Sequence, residues 1–306
     1  MNDQQQIKRK RRHLRDITVL PVLITLLNAM CGFAAIHFAA RGMDKPNLLE
    51  KPELTFFAAA AWMIFFAMIA DGLDGFVARR SGNESEFGGQ LDSLSDAISF
   101  GVAPAFLMLR VVENHLRTIN QSIDASPFFG NLLGRLLWLV AALYVCCAVM
   151  RLARFNVENS PDEKSHINFS GLPSPAAAGV IAALVLLHSD LGHELRGIAV
   201  VSNSIRVVIY LLPFVTVGVA LLMVSRISYV HVVNRYVRGR KSFGYVVMLL
   251  LLLLALIWKL QLTLTIGGLI YAFSGPARRL WRKHIGKSET TIDSPQPPDD
   301  QSSLTD

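Results

Sequence analysis

Charged residues are scarce in this chain. Asp, Glu, Lys and Arg make up 17% of its 306 residues, against about 25% in an ordinary soluble domain, while hydrophobic residues reach 52%. Cysteine is scarcer still. Cys31, Cys146 and Cys147 all fall inside apolar segments with no metal-ligand spacing, which excludes a disulfide framework and leaves them as buried packing residues. Long polar stretches are also lacking, so there is no room for a large extramembrane domain, and no internal repeat is evident. A soluble cytosolic enzyme is excluded.

What is present is a series of apolar runs, at residues 17–40, 54–78, 91–112, 136–157, 172–188 and 205–225. A membrane span needs about 20 such residues, so these read as six spans. A cleaved signal peptide shares the basic start of the first run, but its apolar core is only about 7 to 15 residues long. A further apolar stretch, residues 245–273, is interrupted by Trp258, Lys259 and Gln261 and reads as one tilted helix or a hairpin of two.

Lys and Arg concentrate on the cytoplasmic side of membrane proteins, and their placement decides between the two. A hairpin turning near Lys259 gives eight spans with both ends inside. It puts on that side the tail cluster from Lys8 to Arg15, Arg79 and Arg80, Arg151, Arg154 and Lys164, the group from Arg226 to Lys241, and the group from Arg278 to Lys287. Together these are 21 of the 30 basic residues. A single helix would strand the last group outside and leave Lys259 near mid-membrane, which is expensive for an ammonium.

The expected fold is therefore all-α: a polytopic protein of about eight transmembrane helices in the cell's inner (cytoplasmic) membrane. A basic tail (1–16) precedes a transmembrane catalytic domain (17–280), and a disordered tail (281–306) follows. Residues 226–241 place apolar positions at helical spacing beside a basic face, as in a helix lying on the inner membrane surface; a solvated linker is the alternative. The net charge of +7 sits in clusters flanking apolar segments, where it meets anionic headgroups. A nucleic-acid partner is not expected.

The second and third apolar segments carry the chemistry. The sequence reads Asp71-Gly-Leu-Asp74-Gly75-Phe-Val-Ala78-Arg79, then Gly88-Gly-Gln-Leu-Asp92-Ser-Leu-Ser-Asp96. Carboxylates in membrane helices are costly unless they share a cation or line a wet cavity. Asp71, Asp74 and Gly75 share one helix face with Ala78 and Arg79, and Gly88, Asp92 and Asp96 form a second stripe at intervals of four. Two facing helices joined by a short loop bring the four carboxylates together as an oxygen-rich cage. Such a cage suits Mg²⁺ or Mn²⁺, and two ions more readily than one. Arg79 adds a cation for a phosphate, and Gly75, Ala78 and Gly88 remove side-chain bulk where a nucleotide must approach the backbone. The competing reading, ion pairs closing a helix bundle, fails on charge, because one Arg cannot neutralise four Asp.

The pattern Asp-x2-Asp-Gly-x2-Ala-Arg-x8-Gly-x3-Asp-x3-Asp, matched at every element by residues 71–96, resembles the signature of the CDP-alcohol phosphotransferases. That resemblance implies a reaction in which a CDP-linked lipid gives its phosphatidyl group to an alcohol and releases CMP. It also implies that Asp71, Gly75, Ala78, Arg79 and Gly88 hold the CDP-lipid, that Asp71, Asp74, Asp92 and Asp96 hold the metals, and that the protein is a homodimer. Asp96 is the expected base, and because a metal-rich site depresses a carboxylate pKa it is a weak one.

Three more blocks follow: residues 99–105 (Ser-Phe-Gly-Val-Ala-Pro-Ala), 151–156 (Arg-Leu-Ala-Arg-Phe-Asn) and 169–175 (Phe-Ser-Gly-Leu-Pro-Ser-Pro), with a fourth, Tyr-Ala-Phe-Ser-Gly-Pro, at 271–276. These are similar to blocks of the integral-membrane phosphatidylserine synthases. The resemblance spans roughly residues 17–280 and implies CDP-diacylglycerol and L-serine as substrates. Serine is a zwitterion, so its site needs a cation for the carboxylate. Arg151 and Arg154 are candidates, or else they anchor to lipid phosphate. Asn28, a polar residue in the first span, hydrogen-bonds the acceptor or the nucleotide, or serves helix packing; Ser99 is a further acceptor candidate. Another acceptor, such as glycerol phosphate or inositol phosphate, is the nearer alternative, and a divalent-cation transporter the distant one. His37, His115, His188 and His193 fall near outer ends of spans or in outer loops, and Gly130, Gly134, Gly267 and Gly268 read as packing positions.

Overall fold

The computed structural model describes residues 19–44, 47–49, 51–81, 86–119, 124–128, 130–158, 171–194, 199–227 and 253–285. Eight α-helices dominate it: α1 (Val19–Arg41), α2 (Phe56–Ser81), α3 (Glu86–Asp96), α4 (Ala103–Ile119), α5 (Leu132–Glu158), α6 (Ser174–Glu194), α7 (Ala199–Val224) and α8 (Leu260–Ile285). A π-helical turn, Ala97–Val102, joins α3 to α4, so these three pieces form one rod.

Among the described residues six helical stretches are long and apolar enough to cross a bilayer: Leu20–Arg41, Phe56–Val77, Phe87–Thr118, Leu132–Val157, Ser174–Leu191 and Val207–Val224. They correspond to the six expected spans, with one difference. The third begins at α3 rather than at residue 91, so the whole stripe from Gly88 to Asp96 belongs to a single helix. α8 packs along α6: the Thr265 hydroxyl donates to the Ala183 carbonyl at 3.0 Å, and a Cβ on Gly268 would sit 3.2 Å from Val180.

The helix is interrupted at Lys259, where the sequence places the hairpin turn, although Lys259 N–H still donates to the Ala255 carbonyl at 2.9 Å. Residues 245–252, most of the amphipathic segment 226–241, the basic tail and residues 286–306 lie outside the described residues, whereas residues 281–285, assigned from sequence to the disordered tail, are the last residues of α8. One element was not expected from sequence. A two-stranded antiparallel hairpin, β1 (Asn47–Leu49) and β2 (Lys51–Thr55), precedes α2. The Thr55 hydroxyl accepts the Ala58 N–H at 3.0 Å and so caps that helix.

Small residues set the core. α6 is buried continuously from Ala177 to Leu186, and α2 is buried from Phe56 to Ala61, where alanines let helix backbones approach closely. Large apolar side chains instead point outward, on α1 (Leu23, Leu27, Met30) and on α5 (Leu132, Leu136, Leu139), as lipid-facing surfaces require. Cys147 is buried, but Cys31 is half-buried and Cys146 is exposed on α5. The expectation that all three are buried therefore fails for Cys146, which a lipid-facing position accounts for.

At the end of α4 farthest from the signature, Glu113 is wholly buried. It accepts from Arg110 at 2.8 Å, Arg117 at 2.7 Å and the Ala125 backbone N–H at 3.3 Å, tying the 124–131 loop to the rod. His115 and His188 meet edge to face nearby, 6.2 Å between ring centres. Glu113→Leu takes from Arg110 and a buried N–H the acceptor they share, while Arg117 keeps Asp124 at 3.6 Å. It is expected to cost on the order of 2 kcal/mol of stability, read as a lowered thermal midpoint in detergent. The turnover of the folded protein should be unchanged, since about 25 Å of helix separates Glu113 from Asp96.

Candidate active site

The polar stripes of α2 and α3 meet at three of the four expected carboxylates, with Asp74 outside the group. Asp71, Asp92 and Asp96 converge, and one carboxylate oxygen from each lies within 4.8 Å of the others. Asp96 is buried, while Asp71 and Asp92 are half-buried. Asp74 is buried one turn further along α2, with its carboxylate against the Thr25 hydroxyl of α1. Its charge still acts on Asp71 and Asp92.

Among the described residues no Lys or Arg forms an ion pair with these carboxylates, although the charge of Arg151 of α5 acts on Asp96 and Asp71. Three carboxylates gathered without an ion pair call for a cation, and an all-oxygen donor set fits a hard divalent one. A second observation agrees. Asn28 is wholly buried, donates its side-chain N–H to Asp96 at 3.1 Å, and leaves its Oδ1 without a hydrogen-bond partner among the described residues. A buried amide oxygen beside a carboxylate cluster is a further acceptor in want of a cation or a donor.

Arg151 is held from behind by the Ser174 hydroxyl, on the first residue of α6. Ser174 owes its place to a fixed turn. Gly171 adopts φ +100°, a conformation that side chains disfavour, and its N–H donates to the Ile227 carbonyl at 2.9 Å while Leu172 N–H donates to Leu222 at 3.0 Å. Asn156, one turn beyond Arg151, accepts from Ser93 of α3 at 3.0 Å. The 151–156 block thus meets the signature helix through Asn156, and the 169–175 block meets the 151–156 block through Ser174. Tyr271 of the fourth block comes within electrostatic range of Arg151 from α8.

The model family described as CDP-alcohol phosphatidyltransferase matches residues 18–209, a stretch that contains α1 to α6 and every carboxylate of the cluster. The chain belongs to that family. Among family members it is 33% identical over 216 residues to a CDP-diacylglycerol–serine O-phosphatidyltransferase of Helicobacter pylori, covering 71% of this chain and 73% of that protein. A protein of the same name from Mycobacterium leprae is 33% identical over 184 residues, 59% of this chain and 51% of that one. An archaetidylserine synthase of Methanothermobacter thermautotrophicus is 31% identical over 222 residues, 71% and 72% of the two chains.

Placement of the remaining expected residues is uneven. Gly75 and Gly88 lie half-buried on α2 and α3, and Ala78 and Arg79 fall in the last turns of α2. Arg154 is half-buried one turn after Arg151. Ser99, an acceptor candidate from sequence, is wholly buried and donates its hydroxyl to the Asn28 backbone carbonyl at 2.8 Å, so its proton is engaged in joining two helices. Sequence reasoning missed Thr25 and Tyr144, and it placed Ser174 in the 169–175 block without giving it a role. Thr25 was within reach, because it is a second polar residue one turn before Asn28 on the same face of an apolar helix.

Proposed function

We propose that the protein transfers the phosphatidyl group of CDP-diacylglycerol to L-serine, giving phosphatidylserine and CMP. The observation that carries the reading is the convergence of Asp71, Asp92 and Asp96, with Arg151 opposite them. The serine acceptor draws support from the relatives named above. The distribution of Lys and Arg supports a site opening to the cytoplasmic face of the inner membrane.

In this reading Asp71, Asp74, Asp92 and Asp96 hold the divalent ions. A cation bound there neutralises charge on the diphosphate and on the departing CMP. Arg79 binds the diphosphate, and Gly75, Ala78 and Gly88 let the nucleotide lie against the backbone. Arg151, with Arg154 beside it, takes the serine carboxylate. The serine hydroxyl oxygen forms a bond to the β-phosphorus as the bond from that phosphorus to the bridging oxygen breaks. The electron pair leaves with CMP, and the hydroxyl proton passes to a carboxylate of the cluster, for which Asp96 is the candidate. Asn28, whose free Oδ1 accepts only, can hold the serine ammonium.

A phosphorylated acceptor would need more cationic side chains than Arg151 and Arg154 provide. Purified protein given CDP-diacylglycerol and a panel of serine, glycerol phosphate and inositol phosphate is therefore expected to release CMP with serine and not with the phosphorylated alcohols. Release with glycerol phosphate or inositol phosphate and none with serine would assign a different acceptor.

A further inference from the structure

The turn that follows Asp96 is π-helical, from Ala97 to Val102, with the Ala103 N–H donating to the Ile98 carbonyl five residues back. Such a turn holds one residue more than an α-turn, so it rotates everything downstream by about 100° relative to an uninterrupted α-helix. On one side of it, α3 aims Asp92 and Asp96 at Asp71. On the other, α4 buries Leu107, Met108 and Val111 in the core. If the turn relaxed to an α-helix, the carboxylates and the core face could not both keep their places.

A π-turn is less favourable than the α-helix on either side of it, so it needs external partners, and it has them from both flanks. From α1, the Asn28 backbone carbonyl accepts the Ser99 hydroxyl at 2.8 Å. α1 can come that close only because residue 32 is glycine, where a Cβ would lie 2.7 Å from the Ser99 Cα. From α5, the Tyr144 hydroxyl donates to the Phe100 carbonyl at 3.0 Å. Tyr144 and Phe100 are both wholly buried, and a Cβ on Gly101 would meet Ala148 at 3.5 Å. The same Asn28 that receives Ser99 also donates to Asp96, which closes a loop from the turn back to the carboxylate.

We propose that the π-turn is a positioning device for Asp96, and that Tyr144 and Ser99 are positioning residues that hold it from opposite sides. Neither hydroxyl touches the substrates; each acts through the backbone that sets the Asp96 carboxylate and the Asn28 amide. The inference rests on the reading of Asp96 as a metal ligand.

The test is Mn²⁺ binding to the purified full-length protein in detergent, followed by electron paramagnetic resonance, alongside the thermal midpoint. Tyr144→Phe removes one hydroxyl from a buried ring and is expected to raise the Mn²⁺ dissociation constant about tenfold, in the range found when groups supporting metal ligands are lost. Ser99→Ala is expected to do the same from the other flank. Thr265→Val, which removes a comparable buried hydroxyl-to-carbonyl bond between α8 and α6, is expected to lower the thermal midpoint and leave Mn²⁺ binding at its original strength. An unchanged dissociation constant in Tyr144→Phe overturns the proposal; if that variant does not fold, Ser99→Ala decides by the same criterion. Asp96→Asn separates the two levels. Unaltered Mn²⁺ binding in that variant removes the metal reading itself, whereas weakened binding there with normal binding in Tyr144→Phe removes only the positioning role.

Discussion

Asp71→Asn, Asp92→Asn and Asp96→Asn are each expected to lower the rate of phosphatidyl transfer by on the order of a thousandfold, about 4 kcal/mol of lost transition-state stabilisation. Each change nearly keeps the size of the side chain, replaces one acceptor oxygen by an amide donor, and removes one negative charge from a cluster in which one carboxylate oxygen from each Asp lies within 4.8 Å of the others. Asp74→Asn is expected to fall in the same class. Asn retains a contact for Thr25, but the charge that acts on Asp71 and Asp92 is gone. Relief of carboxylate repulsion should leave the variants at least as stable as the parent, so lost activity with a raised or unchanged thermal midpoint is the expected signature. Activity within a few-fold of the parent in any of the three convergent positions would show that the cluster is structural.

The second large effect is expected at Arg151. Its guanidinium is fixed by Ser174 and faces the carboxylates of α2 and α3, so it is presented in one orientation. A guanidinium binds a carboxylate through two parallel hydrogen bonds, which an ammonium cannot reproduce. Arg151→Lys is therefore expected to raise the KM for serine by about tenfold or more, with kcat and the KM for CDP-diacylglycerol nearly unchanged. Loss of uniform acceptor binding has that kinetic form. Ser174→Ala should shift the serine KM in the same direction by a smaller factor. Equal effects on both substrates would place the arginine on the lipid phosphate instead.

How far the sequence revealed these features follows from what each depends on. The carboxylate stripes were legible because helical spacing within one segment fixes which side chains share a face, and the loop between α2 and α3 is too short to let them part. The membrane helices were legible from run length alone. The hairpin before α2 was not, since Asn47 to Thr55 carries no turn signal of the usual Asn-Gly or Asp-Gly kind. The π-turn was also hidden. Residues 97–102 have no local feature that demands an extra residue per turn, and the partners that stabilise it, Asn28 and Tyr144, come from helices distant in sequence. Tyr144 reads as an ordinary core aromatic, and only its hydrogen bond to Phe100 distinguishes it. Arg151 and Ser174 lie 23 residues apart, and the turn that places Ser174 depends on bonds from Gly171 to Ile227 and from Leu172 to Leu222, again distant in sequence.

The central claim is that the carboxylates of α2 and α3 hold a cation for phosphatidyl transfer, not for transport. The most direct measurement reconstitutes the purified protein in liposomes containing CDP-diacylglycerol and follows CMP, phosphatidylserine and divalent-ion flux together. The account predicts CMP and phosphatidylserine in equal amounts when serine and Mg²⁺ or Mn²⁺ are present, none of either in excess chelator, and no ion movement across the bilayer. Ion movement without consumption of CDP-diacylglycerol, or full transfer in excess chelator, would contradict it.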